Sequence, residues 1–196
     1  MPLTAPKQAS DFKPVEEGTY PARIYSVIDL GTHDDTWQGK VNTHRKIRIT
    51  WELPTEIRTW EKDGEQKEAP QVIGKEYTLS MGSRSNLRKH IELMTTTLSD
   101  EEAYAFDVFS LVGMDCMLSV THKESKEGKV YAQINTVARL MKGVDCPKQF
   151  NSSVTFNIEE WNKDVFDALP KFIQEKVMAS KEKAPEPVFD PDVIPF

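Results

Sequence analysis

The sequence predicts a mainly β fold, because short segments rich in β-branched and aromatic residues recur along residues 19–140. Apolar and polar residues alternate in these segments, which is the pattern of strands with one buried face. One segment among them instead places its apolar residues at helical spacing. With 196 residues, the chain is long enough for one full core with appendages and short of two ordinary domains.

Five segments have the strand pattern, and a helix is predicted between the third and the fourth. In the first strand, Ala22, Ile24, Ile28 and Leu30 share one parity, so all four are expected to face the core. Pro21 is expected near the start of this strand, where the backbone N–H that proline lacks is least needed for strand pairing. The predicted strands are residues 19–30, 45–53, 72–81, 114–123 and 130–140.

The second strand has the clearest alternation. Ile47, Ile49 and Trp51 fall on one face and are assigned to the core. Lys46 and Arg48 fall on the opposite face. Strand two is therefore expected to have a basic outer face.

Long polar connections separate the first three strands. Residues 31–43 are interpreted as a loop that carries Trp37. Within residues 54–71, Asp63-Gly64 is a type I′ turn signal, so the flanking residues can form a two-stranded arm that carries Trp60.

The predicted helix starts near Ser83 or Ser85, where a hydroxyl can cap the first turn. Arg88 is expected to face outward, opposite the apolar stripe. Ser99 and Glu102 have the spacing of a capping box, which predicts a second short helix. The apolar stripe consists of Leu87, Ile91, Met94 and Leu98.

Three strands, a helix and two strands is the element order of the OB-fold, a five-stranded Greek-key barrel that commonly holds oligonucleotides. Residues 161–181 are predicted to form an amphipathic helix, interrupted or restarted at Pro170, that packs on the barrel or on a neighbouring subunit. The chain then divides into four parts. They are an N-terminal arm (1–18), an OB-fold domain that binds single strands (19–145), a C-terminal extension (146–182) and an acidic tail (183–196).

Charge and hydropathy restrict the class of protein. The net charge is −6, and residues 1–150 hold 20 Lys/Arg against 22 Asp/Glu, whereas residues 151–196 hold 5 against 9. This excludes a uniformly basic binder but allows local basic surfaces to contact phosphates. No apolar run approaches the roughly 20 residues of a membrane span, and residues 1–13 lack a signal-peptide core, so a cytoplasmic protein without membrane contact is expected.

Cysteines and histidines indicate no cofactor or metal. Cys116 and Cys146 form no CxxC pair, and the four histidines are scattered without the spacing of metal ligands. The sequence also has no phosphate-binding loop and no nucleophile elbow. A binding protein is therefore favoured over an enzyme, and no cofactor is expected.

Sequence-tolerant binding of single strands requires cationic side chains interleaved with aromatic stacking platforms. The outer face of strand two, the arm around Asp63-Gly64 and the hairpin between strands four and five offer that combination. The candidate phosphate contacts are Lys46, Arg48, Arg58, Lys62, Lys123, Lys126 and Lys129. The candidate stacking residues are Trp37, Trp60 and Tyr131, with Tyr25 and Tyr77 as further candidates that suit the core equally well.

The chain ends in a charged, proline-punctuated segment with too little apolar surface to fold alone. Its tip suits a partner that offers an apolar slot for the last side chain and basic residues for the carboxylates. This tip resembles the acidic, Ile-Pro-Phe-terminated tail of bacterial single-stranded-DNA-binding proteins (SSBs). Pro191 and Val193 interrupt the acidic run that is usual in that family. The matching positions are Asp190, Asp192, Ile194, Pro195 and Phe196.

Short phrases in the body also resemble phage-encoded single-strand-binding proteins. Together, the resemblances imply protection of single-stranded DNA in phage replication, recombination and repair, with host or phage proteins recruited through the tail. Homo-oligomerisation remains open. The phrases are Gly18-Thr19-Tyr20, Asp29-Leu30-Gly31, Trp51-Glu52-Leu53 and Leu111-Val112-Gly113.

Two alternatives remain at this point. One is a strand-annealing recombination protein, which differs in annealing activity and in ring or filament assembly. The other is an adaptor whose barrel binds protein and shows no salt-sensitive affinity for single strands.

Deleting Phe196 is expected to abolish partner recruitment and to spare DNA binding, because the tail and the barrel act separately. Pull-down of replication proteins and titration with oligo-dT measure the two activities side by side. Loss of DNA affinity on deletion would contradict this division of labour.

Overall fold

The structure is a computed structural model that describes residues 13–182, except for the side chains of Trp37 and Lys62. The tail positions Asp190, Asp192, Ile194, Pro195 and Phe196 therefore lie outside the described residues. The strands are β1 (Gly18–Trp37), β2 (Lys40–Lys62), β3 (Glu65–Thr78), β4 (Asp115–Glu124), β5 (Val130–Ala138) and β6 (Val154–Phe156). The helices are α1 (Asn86–Met94), α2 (Asp100–Tyr104), α3 (Lys163–Ala168) and α4 (Lys171–Met178), with a 3-10 turn at Val108–Leu111.

The protein is mainly β, as predicted, and its strands form one curled sheet in the order β3-β2-β1-β4-β5. Neighbours along this path are antiparallel, and β6 adds a short parallel pairing to β1. The five predicted strands and the helix between the third and fourth are all present. The sheet therefore supports an OB-like element order.

Both connections between the first three strands are longer hairpins than predicted. The residues interpreted as a loop at 31–43 are the paired ends of β1 and β2, which turn at Gln38 and Gly39. The arm around Asp63-Gly64 is formed as expected. All four turn residues have positive φ, as a type I′ turn requires.

A bulge in β1 separates two hydrophobic cores. Ile24 pairs with Trp51 and Ser26 pairs with Thr50, so Tyr25 is an extra residue without a partner in β2. Ile24 packs inside the curled sheet, whereas Ile28, beyond the bulge, packs in a second core on the outer face. The prediction that the apolar residues of this strand share one face is therefore wrong.

The second core joins the C-terminal extension to the sheet. Ile28 and Leu30 of β1 are completely buried there. Pro170 separates α3 from α4, as expected, and the buried side chains of the extension pack in one cluster with these two residues of β1. They are Phe156, Ile158, Leu169, Ile173 and Val177.

Buried charge fixes the extension further. The Glu52 side chain is fully buried, and its carboxylate accepts hydrogen bonds from the backbone N–H groups of Phe150 and Asn151 at 2.8 and 2.9 Å. At the other end, the Thr32 N–H donates to the Glu182 carboxylate at 2.7 Å. A buried carboxylate such as that of Glu52 is stable only when hydrogen-bonded, so the sheet and the extension depend on each other.

Helix α1 begins after the Ser85 cap, and the capping box of Ser99 and Glu102 opens α2, both as predicted. Arg88 was expected to face outward and is instead buried. Its guanidinium donates to the carboxylates of Glu92 and Asp100 at 2.9 and 2.5 Å. These ion pairs therefore connect α1 to the start of α2.

Within residues 13–182, no backbone ladder joins β3 to β5, so the barrel seam is not closed by strand pairing. Lys75 of β3 reaches across this seam and donates to the Ile134 carbonyl of β5 at 3.1 Å. The closed five-stranded barrel of the sequence-based prediction is thus matched only as far as a curled sheet. No helix in this same range is long and apolar enough to cross a membrane.

Replacing Ile173 with alanine is expected to lower the free energy of unfolding by about 2–4 kcal/mol, because it opens a cavity in the second core. Met178→Ala on the same helix is the matched control. Its side chain is 55% exposed, so a change under about 1 kcal/mol is expected. Urea unfolding measures both, and equal effects would contradict the packing of α4.

Candidate nucleic-acid interface

Two hairpins project from the same end of the sheet. Strands β2 and β4 both run antiparallel to β1, so both finish at the end where β1 begins. The turns that lead into β3 and β5 therefore lie at that end. The β1–β2 turn, which carries Trp37, lies at the opposite end.

The β2–β3 hairpin places two cations and an aromatic ring on one face, together with Glu65. Trp60 lies directly opposite Lys67, and Arg58 two residues earlier shares their face. Glu61 and Glu68 lie on the other face. The arm carries more acidic than basic residues, but the face with Trp60, Arg58 and Lys67 can contact a polyanion.

The β4–β5 hairpin has a similar combination. Lys123 lies opposite Tyr131, so both side chains share one face of the ribbon. Tyr131 is 43% exposed, and Lys126 and Lys129 are exposed around the turn. Four of the sequence-predicted residues thus lie together here.

The N-terminal segment fills the space between the two hairpins. The His122 backbone N–H donates to the Glu17 carboxylate, and its ring donates to the Val15 carbonyl, each at 2.7 Å. A groove of about 810 Å³ lies between this segment and the β2–β3 arm. Its wall holds Arg58 and Trp60 together with Glu16, Glu56 and Glu61. The end of the sheet is therefore concave.

The outer face of β2 is not the open basic surface that was predicted. Lys46 pairs with Asp35 at 2.6 Å, and Arg48 lies 3.8 Å from Glu76. The Arg48 guanidinium also stands 5.2 Å from the ring centre of Phe172 in α4. Helix α4 covers this face because the outward residues of β1 beside it are apolar.

Tyr25 lies beside this covered face, in the wall of a pocket of about 460 Å³ between the sheet and α3–α4. Burial raises the pKa of the Tyr25 phenol, as does the charge of Glu52, whereas Arg48 lowers it. Arg48 is thus close enough to influence the phenol. Tyr25 is neutral near neutral pH and keeps a hydroxyl for hydrogen bonding.

Tyr77, the other uncertain stacking candidate, belongs to the core. It is 4% exposed, and its hydroxyl is hydrogen-bonded to Nδ1 of His90 at 2.8 Å. It offers no open ring face in this structure. The side chains of Trp37 and Lys62 fall outside the described set, so their predicted contacts remain predictions.

Lys67 is a further candidate that sequence reasoning missed. It is exposed and lies directly opposite Trp60. A signal was available: a two-residue turn at Asp63-Gly64 fixes the register, which pairs position 60 with position 67.

In the described part of the chain, no three His, Cys, Asp or Glu side chains come together as a metal site. Both cysteines are free thiols, and burial raises the pKa of Cys116 to about 12. Comparison with known proteins gives no family, since no family model and no curated protein matches the chain.

The His90 ring predicts a pH-dependent loss of stability. Burial, and then the charge of Lys75, lower its pKa from 6.5 to about 4. The folded state thus favours neutral His90. Its contribution to the free energy of unfolding is complete above pH 6.5 and is lost as the pH falls toward 4. Between about pH 7 and pH 4.5, the free energy of unfolding should fall by roughly 2 kcal/mol more in wild type than in His90→Gln, a value that allows for partial exposure of the ring.

Urea unfolding at both pH values measures this difference. The carboxylates also change stability with pH, but both proteins carry them, so their contributions cancel in the comparison. Parallel stability profiles for wild type and His90→Gln would show that the ring is not held neutral by its surroundings.

Proposed function

We propose that this protein binds single-stranded DNA without sequence preference and protects it. The observation that carries the proposal is the pair of hairpins at one end of the sheet, each with an exposed aromatic ring opposite a lysine. Trp60 with Lys67 and Tyr131 with Lys123 repeat the same unit. Each unit can stack one base and contact a neighbouring phosphate.

Unpaired strands suit this surface better than duplex DNA. The rings of Trp60 and Tyr131 are 40% and 43% exposed and project from narrow ribbons. Stacking on them requires bases whose faces are free, whereas a duplex presents mainly phosphates and groove edges. Stacking also tolerates every base, because each base has a π-face.

The net charge of −6 is compatible with this role. Phosphates respond to the local field within about 10 Å at ordinary ionic strength. On the face of the β2–β3 arm that carries Trp60, the strand would meet Arg58 and Lys67 beside Glu65, whereas Glu61 and Glu68 lie on the other face. The acidic face also disfavours a second strand on the same arm.

We further infer that the sheet is an OB-type barrel with an open seam. The strand and helix order supports this, as does β1, which pairs with both β2 and β4. In this arrangement Lys75 replaces the missing ladder between β3 and β5 with a side-chain hydrogen bond. The proposed role is non-catalytic and needs no cofactor.

The tail is proposed to recruit replication or recombination proteins of a phage or its host. Support for this comes from the likeness of residues 190–196, with Asp190, Asp192 and Phe196, to the tail of bacterial SSBs. The described chain ends at Glu182, beside the β1–β2 hairpin. That point is at the opposite end of the sheet from the two binding hairpins.

Alanine at Trp60 or at Tyr131 is expected to weaken binding to oligo-dT by about 1–3 kcal/mol each, because each change removes one stacking platform. Fluorescence titration at two salt concentrations gives the affinities and the salt slope. The slope should change little, since no cation is removed.

Tyr104→Ala is the matched control, because Tyr104 is 72% exposed on α2, away from both hairpins. Its affinity should equal that of wild type. If wild-type protein bound duplex and single strand equally, or bound neither, the proposed function would be wrong.

A further inference from the structure

We propose that the pocket between the sheet and α3–α4 receives one unpaired base of the bound strand. This inference rests on the proposed function and adds a second, separate contact region to it. The pocket has a volume of about 460 Å³ and opens to solvent. That is within the usual range of about 300–1,000 Å³ for sites of small organic groups.

One wall of the pocket is made by the bulge in β1. Tyr25 is the extra residue of that bulge, and its neighbour Ser26 also lines the pocket. Bulges re-aim a side chain that a regular strand would place elsewhere. The bulge therefore places the Tyr25 ring in the wall of a cleft, where a base could stack on it.

The facing wall is apolar and belongs to the extension. Val165, Leu169, Pro170 and Ile173 line it, and Leu169 and Ile173 are anchored in the second core. A flat ring that enters between this wall and Tyr25 would be covered on both faces. Aromatic bases gain most from such a two-sided contact.

Polar groups lie where the edge of a base requires them. Ser26 and Thr50 are buried residues that line the pocket, and each carries a hydroxyl. Asp164 adds an exposed carboxylate at the pocket. These oxygens can accept from the ring N–H or amino groups that every base carries on its pairing edge.

A cation stands next to the pocket. Arg48 lies two residues from the pocket residue Thr50, on the same face of β2. Its guanidinium is 3.8 Å from the carboxylate of Glu76, which Lys176 also binds. A phosphate near Arg48 would gain a charge-assisted contact. Charge and pocket together favour a nucleotide of the strand over an uncharged apolar occupant.

The extension therefore completes a site in addition to covering the face of β2. Ala168→Phe tests this, because Ala168 lines the pocket and is exposed, so that the added ring fills the space. Ala179→Phe adds the same bulk at an exposed position outside the pocket, at the C-terminal end of α4, and is the matched control. Affinity for oligo-dT should fall about tenfold in the first variant and stay unchanged in the second.

An abasic oligomer of equal length distinguishes a base pocket from a general disturbance. Ala168→Phe should bind it as wild type does, because no base remains to be displaced. Tyr25→Leu provides a second variant, and it should likewise weaken oligo-dT binding and spare the abasic strand. Free thymidine monophosphate should compete only weakly, since the strand supplies the remaining contacts.

Full oligo-dT affinity in both pocket variants, together with a loss in Trp60→Ala, would overturn the pocket and leave the proposed function standing. A fall in affinity for the abasic strand equal to that for oligo-dT would also overturn it. If wild-type protein bound no single strand at all, the proposed function itself would fail.

Discussion

The apolar contact between β1 and α4 decides which surfaces this protein can offer to a ligand. Ile28 and Leu30 are fully buried on the outer side of the sheet, under Ile173 and Val177. Because this contact brings α4 over β2, Arg48 lies beneath Phe172. Open basic and aromatic surface then remains at the two hairpins beyond the start of β1, and at the pocket beside Tyr25.

The contact itself depends on a single inserted residue. Without the bulge at Tyr25, the alternation of β1 would place Ile28 on the same side as Ile24, inside the curled sheet. The outer face would then carry Tyr25, Val27 and Asp29, and the extension would lose Ile28 and Leu30 as apolar partners there. The one-residue bulge at Tyr25 thus creates both the second core and the cleft beside it.

Strand positions were predictable from the sequence because buried strands alternate, as in the run from Ile47 to Trp51. The hairpin at 31–43 was missed because its strands are mostly exposed on both faces, so polar residues give no alternation. The burial of Arg88 and the bulge at Tyr25 depend on tertiary packing, which periodicity does not report. For the same reason, sequence identified binding residues by type but could not show that Asp35 pairs with Lys46 or that α4 covers Arg48.

Hydrogen–deuterium exchange with and without oligo-dT tests the central claim most directly, because it locates the bound strand on the intact protein. The account predicts slower exchange in residues 56–71 and 121–133, the two hairpins, with further protection near Tyr25 and α3. The β1–β2 turn at the opposite end should exchange at an unchanged rate. Protection confined to that turn, or no protection at a saturating concentration of oligo-dT, would contradict the account.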